Sequence, residues 1–221
     1  MESDMRRAAA FAASIAALLY LNTLSNSLAF DDHRAISRNP CVHTSASLFS
    51  ADFWRQLFST DFWGTPLASP RSHRSYRPLA VLSLRLDVWL CEALSSATTS
   101  ASVVTHAANA ALHGVATWHL FFHAHATFQR CGAPLLAACL FAAHPVATEA
   151  VAYGVGRADL LSAVLGLLGM RLHANSYRCA SAACLALGLA SKETALMFIP
   201  TLAIADLVRD LPRDVDLPRD V

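Results

Sequence analysis

Ala8-Ala9-Ala10-Phe11-Ala12-Ala13-Ser14-Ile15-Ala16-Ala17-Leu18-Leu19-Tyr20-Leu21-Asn22-Thr23-Leu24-Ser25-Asn26-Ser27-Leu28 is followed almost at once by Phe30-Asp31-Asp32-His33-Arg34. About 20 apolar residues at 1.5 Å each are enough to cross a bilayer as a helix. Arg6 and Arg7 precede this run, and an acidic pair closes it. A basic start and an apolar core also fit a signal peptide. No clear small-x-small cleavage site stands before the polar region, and further apolar blocks follow, so an uncleaved signal anchor is the better reading. Adjacent carboxylates resist joint ionisation, which suits one of the two to accept a proton or hold a metal. An acidic residue also simply follows many membrane helices, so the pair alone leaves both readings open.

The composition agrees with a membrane protein. Of 221 residues, 55% are hydrophobic and 15% are charged, where a soluble chain carries about a quarter charged residues. The formal net charge is +1, so no nucleic-acid footprint is present. Six cysteines, at 41, 91, 131, 139, 179 and 184, show no C-x-x-C spacing, which argues against a structural zinc site. Cys41 and Cys91 fall in one long loop and can bridge if it is luminal.

Five further apolar stretches follow, at about Ala101–Phe122, Ala133–Ala143, Ala158–Met170, Cys179–Ala190 and Ala195–Val208. The expected fold is therefore an all-α polytopic membrane protein with about six spans. Residues 1–7 form a cytosolic N-terminus, 8–209 the membrane domain, and 31–100 its long first luminal loop. Residues 210–221, a tandem Asp-Leu-Pro-Arg-Asp-Val, are a low-complexity tail.

Within the loop a heptapeptide nearly repeats, Leu48–Trp54 and Leu57–Trp63. Its Phe and Trp residues predict short interfacial helices. Leu79–Leu94, broken by Arg85, Asp87 and Glu92, reads as another. Putting Arg6 and Arg7 in the cytosol makes Gln129-Arg130, Arg171 with Arg178, and Arg209 cytosolic too. Asp31-Asp32, His73–Arg77, His144–Asp159 and Ser191-Lys192-Glu193 then all fall on the opposite face.

Those four motifs hold the candidate chemistry. His73, Arg74 and Arg77 can grip a phosphate, because guanidinium forks match its oxygens. They can equally contact lipid headgroups. Lys192 is a second cation on that face, or a snorkelling helix end. His144, Glu149, Arg157 and Asp159 crowd around Gly154 and Gly156. A Glu149–Arg157 ion pair pinning the loop is the plainer reading there. His106, Asn109 and His113 share one helical stripe, suited to interhelical hydrogen bonds or to a polar cavity. His119 and His123 have metal-compatible spacing but lie near the cytosolic end; no metal site is expected, and a divalent metal requirement stays open.

These motifs, in this order, resemble the transmembrane and tetratricopeptide-repeat (TMTC) protein O-mannosyltransferases. The likeness rests on Asn26-Ser27, Phe30-Asp31-Asp32, Leu57-Phe58 to Gly64, Ser72–Leu79, His106 with Asn109 and Leu112-His113, His144-Pro145, Thr148–Val151, Gly156–Leu161 and Ser191–Glu193. It implies a GT-C glycosyltransferase of the endoplasmic reticulum membrane, multi-pass with a cytosolic N-terminus. Dolichyl-phosphate mannose would be the donor, and Ser/Thr of cadherin-type luminal proteins the acceptors. Asp31 and Asp32 would be catalytic. His73, Arg74, Arg77, Arg157 and Lys192 would bind donor phosphate, supported by His144, Glu149 and Asp159. No cofactor is implied beyond the donor lipid.

The doubled heptapeptide and the hexapeptide tail depart from the family pattern, as does the lack of further spans and tetratricopeptide repeats. A fragment of a longer enzyme is expected. The alternatives are a non-catalytic or truncated membrane adaptor and, less favoured, a transporter.

Overall fold

The computed structural model describes residues 2–94, 100–128 and 132–210. The Gln129-Arg130 turn, Cys131 and the tandem tail beyond Asp210 lie outside the described residues. Among those described, the chain is helical, with no strand beyond one isolated bridge between Thr60 and Pro66.

The elements are α1 (Glu2–Leu18), α2 (Ala51–Ser59), α3 (Pro78–Leu94), α4 (Ala101–Thr127), α5 (Ala133–Ala143), α6 (Ala147–Ala152), α7 (Arg157–Ala174), α8 (Arg178–Leu189) and α9 (Phe198–Asp210). Local chemistry sets several of their starts. The Ser50 and Ser100 hydroxyls accept the N–H groups of Phe53 and Val103, capping α2 and α4. Pro78 opens α3 at a position whose N–H has no helical partner anyway. The helix α1 begins six residues before the apolar run, sustained by an Arg6–Glu2 ion pair of 2.7 Å one turn apart.

Among the described residues, one helical unit, Glu2–Ser25, is long and apolar enough to cross a membrane. The other expected spans are helices too, but α5 and α8 have only 11 and 12 residues. That is short of the roughly 20 needed for a full crossing. The α4 helix has 27 residues, with histidines along its length.

Successive long helices alternate in direction. Ala9 and Ala12 of α1 pack with Phe121 of α4, while Tyr20, beyond the other end of α1, meets His113 edge-on at 5.5 Å. Small residues make this approach possible: a side chain at Gly114 would put its Cβ 2.9 Å from the Ala13 carbonyl oxygen. The α5 helix returns so that His113 Nε2 bonds the Ala142 carbonyl at 3.1 Å. The α7 helix runs alongside α4, from Arg157 at Thr105 to the Leu167 carbonyl at His123. Asp32, Asn109, Arg157 and Lys192 are thereby gathered at one end of the bundle, and His123, Arg171 and His173 at the other.

The loop differs in part from what its sequence predicts. Cys41 and Cys91 are free thiols, not a bridge. Cys41 is buried with its Sγ 3.1 Å from Thr60 Oγ1, and burial raises its pKa. A single helix, α2, takes Ala51–Trp54 of the first heptapeptide and runs on through Leu57–Ser59 of the second, so the two copies do not form two helices. In the second, Asp61-Phe62-Trp63-Gly64 is a turn closed by the Gly64 N–H on the Asp61 carbonyl. Gly64 sits at φ 79°, a backbone state that the corresponding Arg55 would resist. Of the three charges of α3, Arg85 and Asp87 are buried against protein and Glu92 is exposed.

The α3, α4 and α7 helices are locked together by Arg157, which is 2% exposed. Its guanidinium donates to Asp87 Oδ2 and Asn109 Oδ1 at 2.6 Å each, and to the Thr105 carbonyl at 3.1 Å. The expected Glu149–Arg157 pair does not form, because Asp87 and Asn109 already enclose the guanidinium. Just before it, Gly156 allows a contact that no other residue could make. A Cβ there would overlap the Ala150 carbonyl and its backbone, so Gly156→Ala is expected to destabilise the protein by about 1–3 kcal/mol through overpacking. Thermal melting in detergent checks this; an unchanged midpoint would contradict it.

Candidate active site

The acidic pair is split by the backbone. Phe30 takes a φ of 47°, rare for a bulky side chain, and a single π-turn, His33–Ser37, follows Asp32. Asp32 is turned inward, 1% exposed. Its Oδ1 accepts the Val155 N–H at 2.9 Å, and its Oδ2 accepts the Ala29 N–H at 3.4 Å. It ties the end of the first helical segment to the Gly154–Gly156 turn. Asp31 points the other way, exposed, into a cleft of about 500 Å³.

That cleft brings together residues far apart in sequence. Asp31, Arg77, Glu149, Asp159 and Lys192 all line it, with Phe30, Phe62, Trp63 and Tyr153 as aromatic walls. Its two cations are each held by a carboxylate. Lys192 Nζ donates to both oxygens of Asp159, at 2.6 and 2.7 Å. Arg77 makes a forked contact with Glu193, Nη2 at 2.7 Å and Nε at 3.2 Å. The Arg77 hydrogen bond holds the Glu193 carboxyl below its ordinary pKa. The Arg77 guanidinium also lies 5.3 Å from the Phe62 ring centre, and that of Arg34 lies 5.5 Å from Trp63.

Beside the cleft lies an apolar trough of about 570 Å³ between α4, α5, α7 and α9. Leu140, Phe141, Ala150, Leu160 and Phe198 line it, with His113 and His144 among them. Asp159 belongs to both cavities. Asp159, with Lys192 bound to it, therefore stands on the wall that the polar chamber shares with the apolar one.

The remaining expected residues fall elsewhere. His73 and Arg74 are exposed outside the cleft, and Arg157 is enclosed in the bundle below it. His144 lines the trough, not the cleft. Of the α4 stripe, Asn109 donates to the Tyr153 carbonyl at 2.7 Å and His113 bonds α5, as interhelical hydrogen bonding predicts. His106 is buried with neither ring nitrogen hydrogen-bonded among the described residues. The described residues contain no cluster of three metal-ligating side chains.

Sequence reasoning missed Phe30 and Tyr153 as cleft walls and assigned Phe62 and Trp63 to the membrane interface. It also missed Asp61, which is 1% exposed. Asp61 Oδ1 accepts the N–H groups of Trp63 and Thr65, and Oδ2 accepts the Ser72 hydroxyl and the His73 N–H. Burial works to raise its pKa, but the hydrogen bonds outweigh it and hold the carboxyl below its ordinary value. The Asp-x-x-Gly turn pattern was the available signal.

The chain is 38% identical to the protein O-mannosyl-transferase Tmtc2 of Drosophila melanogaster, across 99% of this chain and 23% of that relative. It is 41% identical to the protein O-mannosyl-transferase TMTC1 of Mus musculus, across 73% of this chain and 16% of that protein. The protein O-mannosyl-transferase F38B6.6 of Caenorhabditis elegans is 34% identical, across 88% and 27%. The chain thus spans 16% to 27% of the length of these three relatives. No family model and no solved structure matches it.

Proposed function

We propose, from the premise that this chain belongs to the TMTC protein O-mannosyl-transferase family, that its cleft is the donor and acceptor site of a protein O-mannosyltransferase. The donor is dolichyl-phosphate mannose, and the acceptors are Ser/Thr hydroxyls of luminal proteins such as cadherin-type domains. The enzyme sits in the endoplasmic reticulum membrane as the first part of a GT-C fold of about six spans, with its N-terminus in the cytosol. One observation carries this reading. Three carboxylates and two cations line one chamber that shares Asp159, the partner of Lys192, with an adjoining apolar trough. A lipid-linked sugar phosphate has that same sequence of polar and apolar parts.

In this reading the polyprenyl chain lies in the trough, and the phosphate sits between Arg77 and Lys192. It replaces Glu193 and Asp159 as the partner of those cations, which the carboxylates hold in place until then. Asp31 takes the proton of the acceptor hydroxyl as its oxygen attacks C1 of mannose. The bond from C1 to the phosphate oxygen breaks, and dolichyl phosphate leaves with the electron pair. The two cations stabilise the developing charge, and the anomeric configuration inverts. Asp32 and Arg157 position the backbone around the cleft without touching the reactants.

Transfer from labelled dolichyl-phosphate mannose by the full-length protein in membranes tests this. Lys192→Ala is expected to raise the donor KM by about 10- to 100-fold, the loss of a charge-assisted contact of about 1.5–3 kcal/mol. The KM for the acceptor should move far less. A donor KM unchanged by Lys192→Ala would remove this residue from the site.

A further inference from the structure

We propose that Asp61 is a positioning residue: its buried carboxylate staples the 61–77 segment so that the aromatic wall and Arg77 keep their places in the cleft. This rests on the proposed reading of the cleft as a donor site. The segment has no helix or strand to fix its shape between α2 and α3. Backbone turns and the Asn39 amide, which donates to the Phe62 carbonyl at 3.0 Å, hold parts of it, and one side chain ties its two ends together. Oδ1 of Asp61 accepts the Trp63 and Thr65 N–H groups at 3.0 and 2.9 Å, and Oδ2 accepts the Ser72 hydroxyl and the His73 N–H at 2.7 and 3.0 Å. The two oxygens therefore join the two ends of the loop.

Backbone bonds extend the staple towards the cleft. The Asp61 N–H donates to the Thr65 carbonyl, and the Phe62 N–H donates to the Ser75 carbonyl, each at 2.8 Å. Phe62, whose ring contacts the Arg77 guanidinium, is the residue directly after Asp61, and Arg77 is two residues beyond Ser75. Asp61 itself does not line the cleft, so it acts through these neighbours. A carboxylate is the group the site needs. Four donors converge on two acceptor oxygens, while an amide of the same shape offers one oxygen and turns N–H groups towards two of those donors. Asp61→Asn thus keeps the Trp63 and Thr65 bonds, sets an N–H against the His73 N–H and forces the Ser72 hydroxyl to turn from donor to acceptor, which loosens the Ser72–His73 end.

The test uses the full-length protein purified in detergent, with Asp61→Asn and the milder Ser72→Ala, which removes one bond. Phenylglyoxal modification of Arg77, followed by peptide mass spectrometry, reads the position of that side chain without any need for activity. Asp61→Asn is expected to speed this modification several-fold and to raise the donor KM about tenfold, the loss of one or two charge-assisted bonds. Its kcat should stay within about twofold of the parent enzyme, because Asp31 is untouched. Ser72→Ala should move both readouts in the same direction by less, and it decides the matter if Asp61→Asn does not fold. Unchanged Arg77 modification and unchanged donor KM in a folded variant would overturn the proposal, as would a fall in kcat alone. If the parent protein transfers no mannose but Arg77 modification still rises, the donor-site reading fails and the staple stands.

Discussion

Asp31→Asn in the full-length protein is expected to lower mannosyl transfer by about a hundred- to ten-thousand-fold, the range for loss of a general base. Its melting temperature should stay close to that of the parent, since Asp31 is exposed in the cleft. Asp32→Ala should do the reverse to stability. It leaves the part-buried Val155 N–H without its acceptor, a loss of about 1 kcal/mol or more, so the protein melts earlier. Measuring transfer and melting side by side on both variants separates the chemical role from the structural one. Undiminished transfer with Asp31→Asn would remove the base from the mechanism.

The second large effect is on folding. Asp87→Ala removes the carboxylate 2.6 Å from Arg157 and leaves a buried guanidinium without its counter-charge. Breaking such a pair from one side is expected to destabilise by about 3–5 kcal/mol. Replacing both partners, as Asp87→Leu with Arg157→Met, should be much milder, because no buried charge is then left unpaired. Equal loss in the single and double variants, followed by urea or thermal unfolding in detergent, would show that the pair is not what joins α3 to α7.

How far the sequence carried the fold depends on which forces act locally. The limits of α5, Ala133–Ala143, follow from an apolar block beginning with Ala-Pro and ending before His-Pro, signals that need no tertiary contact. Likewise the alternation of basic turns placed Asp31, Arg77, Glu149, Asp159 and Lys192 on one face before any contact between them was visible. The structure lines one cleft with those five residues.

The failures are long-range or hang on one residue. Whether Arg157 served a phosphate or the bundle depended on Asp87, 70 residues earlier. Nothing in the local Gly-x-Gly-Arg pattern carries that pairing. The two heptapeptides end differently, the first inside α2 and the second in a turn, where Gly64 takes a positive φ at the place of Arg55. Their shared Phe and Trp residues gave no hint of it. The inward turn of Asp32 and the outward turn of Asp31 follow from a π-turn and a left-handed Phe30. A pair of identical side chains cannot announce such a difference.

The central claim is that the polar cleft and the apolar trough together hold one lipid-linked sugar. Photocrosslinking tests it most directly, with p-benzoylphenylalanine installed at Leu140 on the trough wall of the full-length protein. Labelled dolichyl-phosphate mannose should crosslink there in a saturable way and be competed off by dolichyl phosphate. The crosslink should be lost when Arg77 and Lys192 are both replaced by Ala. An enzyme that transfers mannose normally, yet gives no competable crosslink at Leu140, would contradict the account.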